Sequence, residues 1–183
     1  AGVMMGNEGL ISAYKAWIGN PENEGLKDAA IKMVLSYEKY FNYKNIILFD
    51  KNRDVKLSLN STTPSLESVS LSNVNISISN NNPSISHLFV AESDSSIYMD
   101  VAAPFYSGDE LIGGVILRID PDDFLFPEIN NWPVISKTTE SILFTVSDDK
   151  VVFLNNFRFK DKTALNYKLG INKENEHITA VKA

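Results

Sequence analysis

Cysteine is absent from this chain, which removes disulfides, thiolate nucleophiles, Cys-based zinc sites and iron–sulfur clusters together. Histidine is scarce, with only His87 and His177. A Ser-His-Asp arrangement is arithmetically open, but no Gly-x-Ser-x-Gly elbow accompanies either residue. Lys and Arg never cluster and the formal net charge is −6, so nothing here suits a nucleic-acid backbone. The same acidity argues against adhesion to anionic lipid. No apolar run approaches the roughly 18 residues of a membrane span, and the opening Ala1 to Gly6 lacks a basic leader with an apolar stretch. Any membrane spans of the parent protein are therefore expected outside these residues. No His or carboxylate cluster has metal-ligand spacing. Asp120, Asp122 and Asp123 around Pro121, and the pair Asp148-Asp149, read as turn chemistry. No enzyme activity, cofactor or metal is expected.

What is present is globular: 44% hydrophobic and 22% charged residues over 183 positions, enough for a core in one domain or one and a half. Leu26, Ala30, Met33, Val34, Tyr37 and Phe41 recur at three- and four-residue intervals, which predicts a long helix over 22–43. Asn20-Pro21 supplies a cap and a first-turn residue for it. Leu10, Tyr14, Trp17 and Ile18 predict an earlier helix. The period then changes to two. Strands are expected over 45–50 and 55–59, joined by the polar turn Lys51 to Asp54. Further strands are expected over 87–91, 96–106 and 110–119, the last two joined by a turn at Gly108. Gly113-Gly114 lies within a strand and suggests a bulge or close packing rather than a phosphate cradle. The segment 60–86 is dominated by Ser and Asn with broken alternation, and reads as a long surface loop or lid. Its Asn60-Ser-Thr and Asn75-Ile-Ser triplets match the N-glycosylation pattern, a weak signal in such a composition. The order predicts an α+β layout: a long helix on one face of a five-stranded antiparallel sheet.

From about residue 125 a second, partial unit is expected. Phe126 to Pro133 reads as a short helix or turn, followed by a hairpin of 141–146 and 151–154. That hairpin repeats the strand, charged turn, strand order of residues 45–59. Polar loop and a helix near 175–183 follow, with no closed sheet.

Three stretches resemble the PAS-like double-module sensor domains called PDC or double Cache, found in membrane histidine kinases. They are Asp50 to Ser58; Ile97 to Phe105 followed by Leu111 to Pro121; and Trp132 to Phe144 with Val152 to Arg158. The resemblance implies a membrane-distal module over 1–124 and part of a membrane-proximal module over 125–183. It further implies an extracytoplasmic, small-molecule-sensing domain of a transmembrane histidine kinase in a two-component system. Ligand binding would there shift the N-terminal helix, which is also the candidate surface for a homodimer. A chemoreceptor or diguanylate cyclase parent is an alternative. So is a cytoplasmic PAS- or GAF-type module binding a chromophore, haem or nucleotide, for which His87 is the candidate axial ligand. A dimerisation module with an empty site stays open as well.

Strand parity locates a candidate site. Ile97, Met99, Val101 and Ala103 point one way and suit the face under the long helix. Tyr98, Asp100, Ala102 and Pro104 point the other, offering a phenol and a carboxylate beside a small residue. The candidate ligand residues are Tyr98, Asp100, Arg118 and His87, beneath the 60–86 segment. The competing reading makes Tyr98 and Asp100 a solvated sheet face, with Arg118 paired to Asp120 at the surface. In the site reading, Asp100→Ala weakens ligand binding and leaves the fold intact.

Overall fold

The computed structural model describes residues 1–41, 43–60, 65–123, 125–131, 141–157, 160 and 162–182. The chain divides into two compact units, Ala1–Asp120 and Pro121–Ala183. No described helix is long and apolar enough to cross a membrane.

In the first unit, a short α1 (Gly2–Met5) precedes α2 (Glu8–Gly19) and α3 (Glu24–Phe41). Asn7 caps α2 by accepting from the Leu10 N–H at 2.9 Å, and Leu10, Tyr14 and Trp17 form its buried stripe. Asn20, expected to cap α3, instead closes α2. The side-chain oxygen of Asn23 accepts from the Leu26 N–H and takes the capping role.

The sheet is antiparallel throughout its described pairings. Strands β1 (Asn45–Asp50), β2 (Val55–Ser58), β3 (Ser84–Ile85), β5 (Ile97–Ser107) and β6 (Glu110–Ile119) lie in the order β2-β1-β6-β5-β3, and β4 (Phe89–Val90) pairs with β5. The α+β expectation therefore stands, with β3 as an added sixth strand. Strand β1 is buried at every residue because β2 and β6 flank it and helices cover both faces. The 51–54 turn is organised by Asp50, whose Oδ1 accepts from the N–H groups of Asn52 and Asp54 at 2.8 and 3.1 Å. Gly113 adopts φ +145°, and a Cβ there would collide with the Phe49 carbonyl. Only glycine fits this close approach, beside a bulge between Phe105 and Tyr106.

One face of the sheet carries the main core. Ile46, Leu48, Ala103, Phe105, Val115 and Leu117 pack with Leu10, Tyr14, Trp17, Ala30 and Val34 of α2 and α3. The opposite face corrects the sequence expectation. Within 60–86 the chain forms a 13-residue helix, α4 (Ser68–Asn80), closed by Asn81 in the left-handed conformation. Its buried residues are Ser70, Asn73, Val74 and Ser77, a helical stripe that is mostly polar.

The second unit contains α5 (Leu125–Asn131), β7 (Phe144–Ser147), β8 (Lys150–Phe153), β9 (Lys168–Gly170) and α6 (Thr179–Lys182). Asp148 and Asp149 both have positive φ, as a tight two-residue hairpin turn requires. The expectation of a lone hairpin is corrected: β9 pairs with β8, giving the three-stranded order β7-β8-β9. The rings of Phe153, Phe157 and Tyr167 lie 4.9–5.5 Å apart, with Phe157 edge-on to both others and Phe153 tilted against Tyr167. The expected family-like stretch from Trp132 to Glu140, and Arg158, lie outside the described residues.

Candidate functional site: a buried charge cluster beneath α4

Strands β5 and β6 pair with Asp100 directly opposite Arg118, so both side chains leave the same face. That face lies under α4, opposite α2 and α3, as strand parity predicted. Tyr98, Asp100 and Arg118 are brought together there. They are not solvated: their exposures are 3%, 0% and 4%. The solvated-face reading fails, and Arg118 pairs with Asp100 inside the molecule rather than at the surface.

The cluster is bidentate at its centre. Arg118 Nε donates to Asp100 Oδ1 at 3.0 Å and Nη2 to Oδ2 at 3.1 Å, the fork geometry in which guanidinium and carboxylate match best. Ser70 of α4 donates to Asp100 Oδ2 at 2.6 Å and lies 3.1 Å from Arg118 Nη2. Asn73 donates to the Asp100 carbonyl at 3.0 Å, and Ser77 to the Ala102 carbonyl at 3.1 Å. The aromatic rings of Phe89 and Tyr98 each lie 5.3 Å from the guanidinium carbon, which supplies cation–π stabilisation on top of the ion pair. Glu67, the residue that starts α4, stands 3.9 Å from Arg118 Nη1.

Burial pulls the Arg118 pKa down, but hydrogen bonds and charge from Asp100, with Glu67 behind it, outweigh burial and raise it. Burial, and then the hydrogen bond to Asp94, push the Tyr98 phenol up to about 12. Its hydroxyl donates to Asp94 Oδ2 at 2.7 Å. One guanidinium thus faces two carboxyl groups, Asp100 within hydrogen-bond distance and Glu67 at the rim.

His87 stands exposed between β3 and β4, whereas Tyr98, Asp100 and Arg118 are buried. Its carbonyl accepts from Ser86 Oγ at 2.8 Å. Among the described residues no group of three or more His, Cys, Asp or Glu could hold a metal ion. The sequence reading missed Glu67, Ser70 and Phe89. The spacing of Ser70, Asn73 and Ser77 was the available signal for α4, and it is invisible to an apolar count. The expectation that Asp100→Ala leaves the fold intact is also overturned. Removing this carboxylate strands a buried guanidinium.

No protein-family model matches the chain, and no curated protein matches it by sequence. Solved structures do match by fold. The ligand-binding domain of the Pseudomonas fluorescens chemoreceptor CtaA, in complex with L-serine, aligns at 9% identity and TM-score 0.54, covering 86% of this chain and 64% of that one. The domain of the Pseudomonas aeruginosa PAO1 amino-acid chemoreceptor PctB, in complex with L-Arg, aligns at 10% identity and TM-score 0.54, covering 86% and 63%. That of the Campylobacter jejuni chemoreceptor Tlp3 aligns at 15% identity, TM-score 0.49, covering 68% and 53%. The chain therefore spans less than two thirds of the length of each of these domains. Its fold is that of the PDC/Cache-type ligand-binding domains.

Proposed function

We propose that this chain is the extracytoplasmic ligand-sensing part of a membrane receptor, without enzyme activity of its own, and that it reads a small zwitterion of the L-amino-acid class beneath α4. The carrying observation is the geometry of Arg118. Its Nε and Nη2 are engaged by Asp100, while Nη1 faces Glu67 beyond hydrogen-bond length, at 3.9 Å. A ligand carboxylate can take Nη1 while its ammonium takes Glu67, with the Asp100 pair kept. A zwitterion adds no net charge to a buried cluster, so it avoids the desolvation cost that a lone ion would bring. The L-serine and L-Arg held by the two Pseudomonas domains of the same fold support this ligand class.

Because Glu67 and Ser70 belong to α4 and its start, ligand contact there biases the position of that helix. A shift requires different affinity for two arrangements of α4. The same sensor serves a histidine kinase or a chemoreceptor, since the output chemistry lies in other domains. In this reading residues 1–124 are the sensing module and 125–183 part of a second one, with α3 as the homodimer surface. Thermal-shift screening of the twenty L-amino acids tests the proposal. Saturation at about 100 times Kd stabilises by roughly 2.7 kcal/mol, or about 5–10 °C in Tm for a domain of this size. A panel in which none raises Tm rejects it.

A further inference from the structure

Two aromatic rings, Phe89 and Tyr98, lie against the Arg118 guanidinium, yet they differ in how they are held. Tyr98 belongs to the long strand β5, paired on its other side with β6. Phe89 belongs to β4, which is two residues long and pairs with β5 alone, through Phe89↔Tyr98 and Val90↔Ile97. Upstream, the chain is anchored at Ser86, whose N–H donates to the Asp100 carbonyl at 2.8 Å and whose hydroxyl accepts from the Asp100 N–H at 2.9 Å. Exposed His87 and half-buried Leu88 separate that anchor from Phe89. Downstream, Ser95 holds φ +60° in a turn closed by Ala91 and Ser96. The apolar cluster of this hairpin is small: Phe89, Ala91 and Tyr98, with Val69 of α4 against it.

Resting on the sensor reading above, we infer that residues 89–95 form a gate over the charge cluster, hinged at 87–88 and at Ser95. The Asp94–Tyr98 hydrogen bond is its latch. Opening breaks two strand pairs, the Ala91–Ser96 backbone bond and the bonds that the Asp94 carboxylate accepts from Tyr98 and Ser96, and leaves β5, β6 and the Asp100–Arg118 pair in place. Segments with so few buried contacts open locally at far lower cost than the global fold. Such a gate solves the access problem of a site whose charged groups are almost fully enclosed.

The test needs no ligand. The chain has three arginines, Arg53, Arg118 and Arg158, and no cysteine, so Val90→Cys with Ile97→Cys can form a single disulfide. Directly opposed strand residues lie at a suitable Cα separation. Phenylglyoxal modification of Arg118, followed by peptide mass spectrometry, reports access, with half-buried Arg53 as internal reference. The gate predicts that oxidation slows Arg118 modification at least about tenfold relative to the reduced form of the same variant, because local opening sets the rate. It also predicts that Phe89→Ala accelerates modification in the chain that is otherwise unaltered. Equal rates in oxidised and reduced protein, or an unchanged rate in Phe89→Ala, overturn the gate. Failure of every amino acid to bind would instead reject the ligand reading and leave these rates as they are.

Discussion

The two faces of the first sheet are covered by helices in opposite ways. Beneath α2 and α3 the contact is a continuous apolar core that includes Leu10, Tyr14, Trp17, Val34, Leu48, Phe105 and Leu117. Beneath α4 the buried apolar cluster shrinks to Ile47, Phe49, Val74, Ala102 and Ile116, and beside it Ser70, Asn73 and Ser77 reach polar atoms of β5. An apolar interface is held by area removed from water and resists change at any single point. A polar one is held by a few directional bonds whose net worth is modest and which a ligand can replace. One sheet thus has a side held by apolar packing and a side held largely by directional polar bonds, set by the composition of the covering helix.

Substitutions should separate the two sides. On the apolar face, Phe105 is fully buried and meets Tyr14 edge-on at 5.6 Å. Phe105→Ala is expected to cost about 3–5 kcal/mol in chemical denaturation, and a loss below about 1 kcal/mol would show that this face is not the main core. On the α4 face, Asp100→Ala alone should cost a similar 3–5 kcal/mol because the guanidinium is left buried and unpaired. Replacing both partners, as in Asp100→Leu with Arg118→Met, should recover much of that loss, since buried ion pairs contribute little net stability. A double variant worse than either single one would make the pair a structural element instead.

Smaller effects sharpen the contrast further. Ser77→Ala deletes bonds to the Asn82 and Ala102 carbonyls and should cost about 1 kcal/mol, as seen in the denaturation midpoint. The smallest expected effect is in acid. For Asp50, burial raises the pKa, but Lys56 and the backbone N–H groups of Asp54 and Asn52 outweigh it and lower the value. For Asp94, burial is likewise outweighed by bonds from Ser96 and Tyr98. A depressed folded pKa contributes stability above the unfolded value of about 3.9 and loses it as pH falls through the folded value. Asp50→Asn with Asp94→Asn should therefore flatten the stability decline below about pH 4. An unaltered decline would assign it to other carboxylates.

Much of the first side was legible in the sequence, because its stripes are apolar at spacings of three, four and two. Helix α3, the β1–β2 hairpin and the parity of Tyr98 and Asp100 all followed from that periodicity. Helix α4 did not, because its buried stripe is Ser70, Asn73 and Ser77. Strand β9 is three residues, Lys168–Gly170, too short to show alternation. The Asp100–Arg118 pair was hidden by one bulge. Counting back from the turn pair Ser107–Glu110 sets Asp100 opposite Leu117, and the shift between Phe105 and Tyr106 makes the partner Arg118. Gly113 hinted at such an irregularity without giving its direction.

The proposed sensor requires the cluster beneath α4 to read both charges of a zwitterion. Isothermal titration with the amino acid that gives the largest thermal shift, and with its N-acetyl derivative, measures this directly in the wild-type chain and in Glu67→Gln. Glu67 lies at the rim, its side chain 14% exposed, so its amide should not unfold the site. Acetylation and Glu67→Gln are each expected to weaken binding about tenfold or more, roughly 1.4 kcal/mol, and the two losses should not add. An N-acetyl derivative that binds the wild-type chain as tightly as the free amino acid would contradict the account.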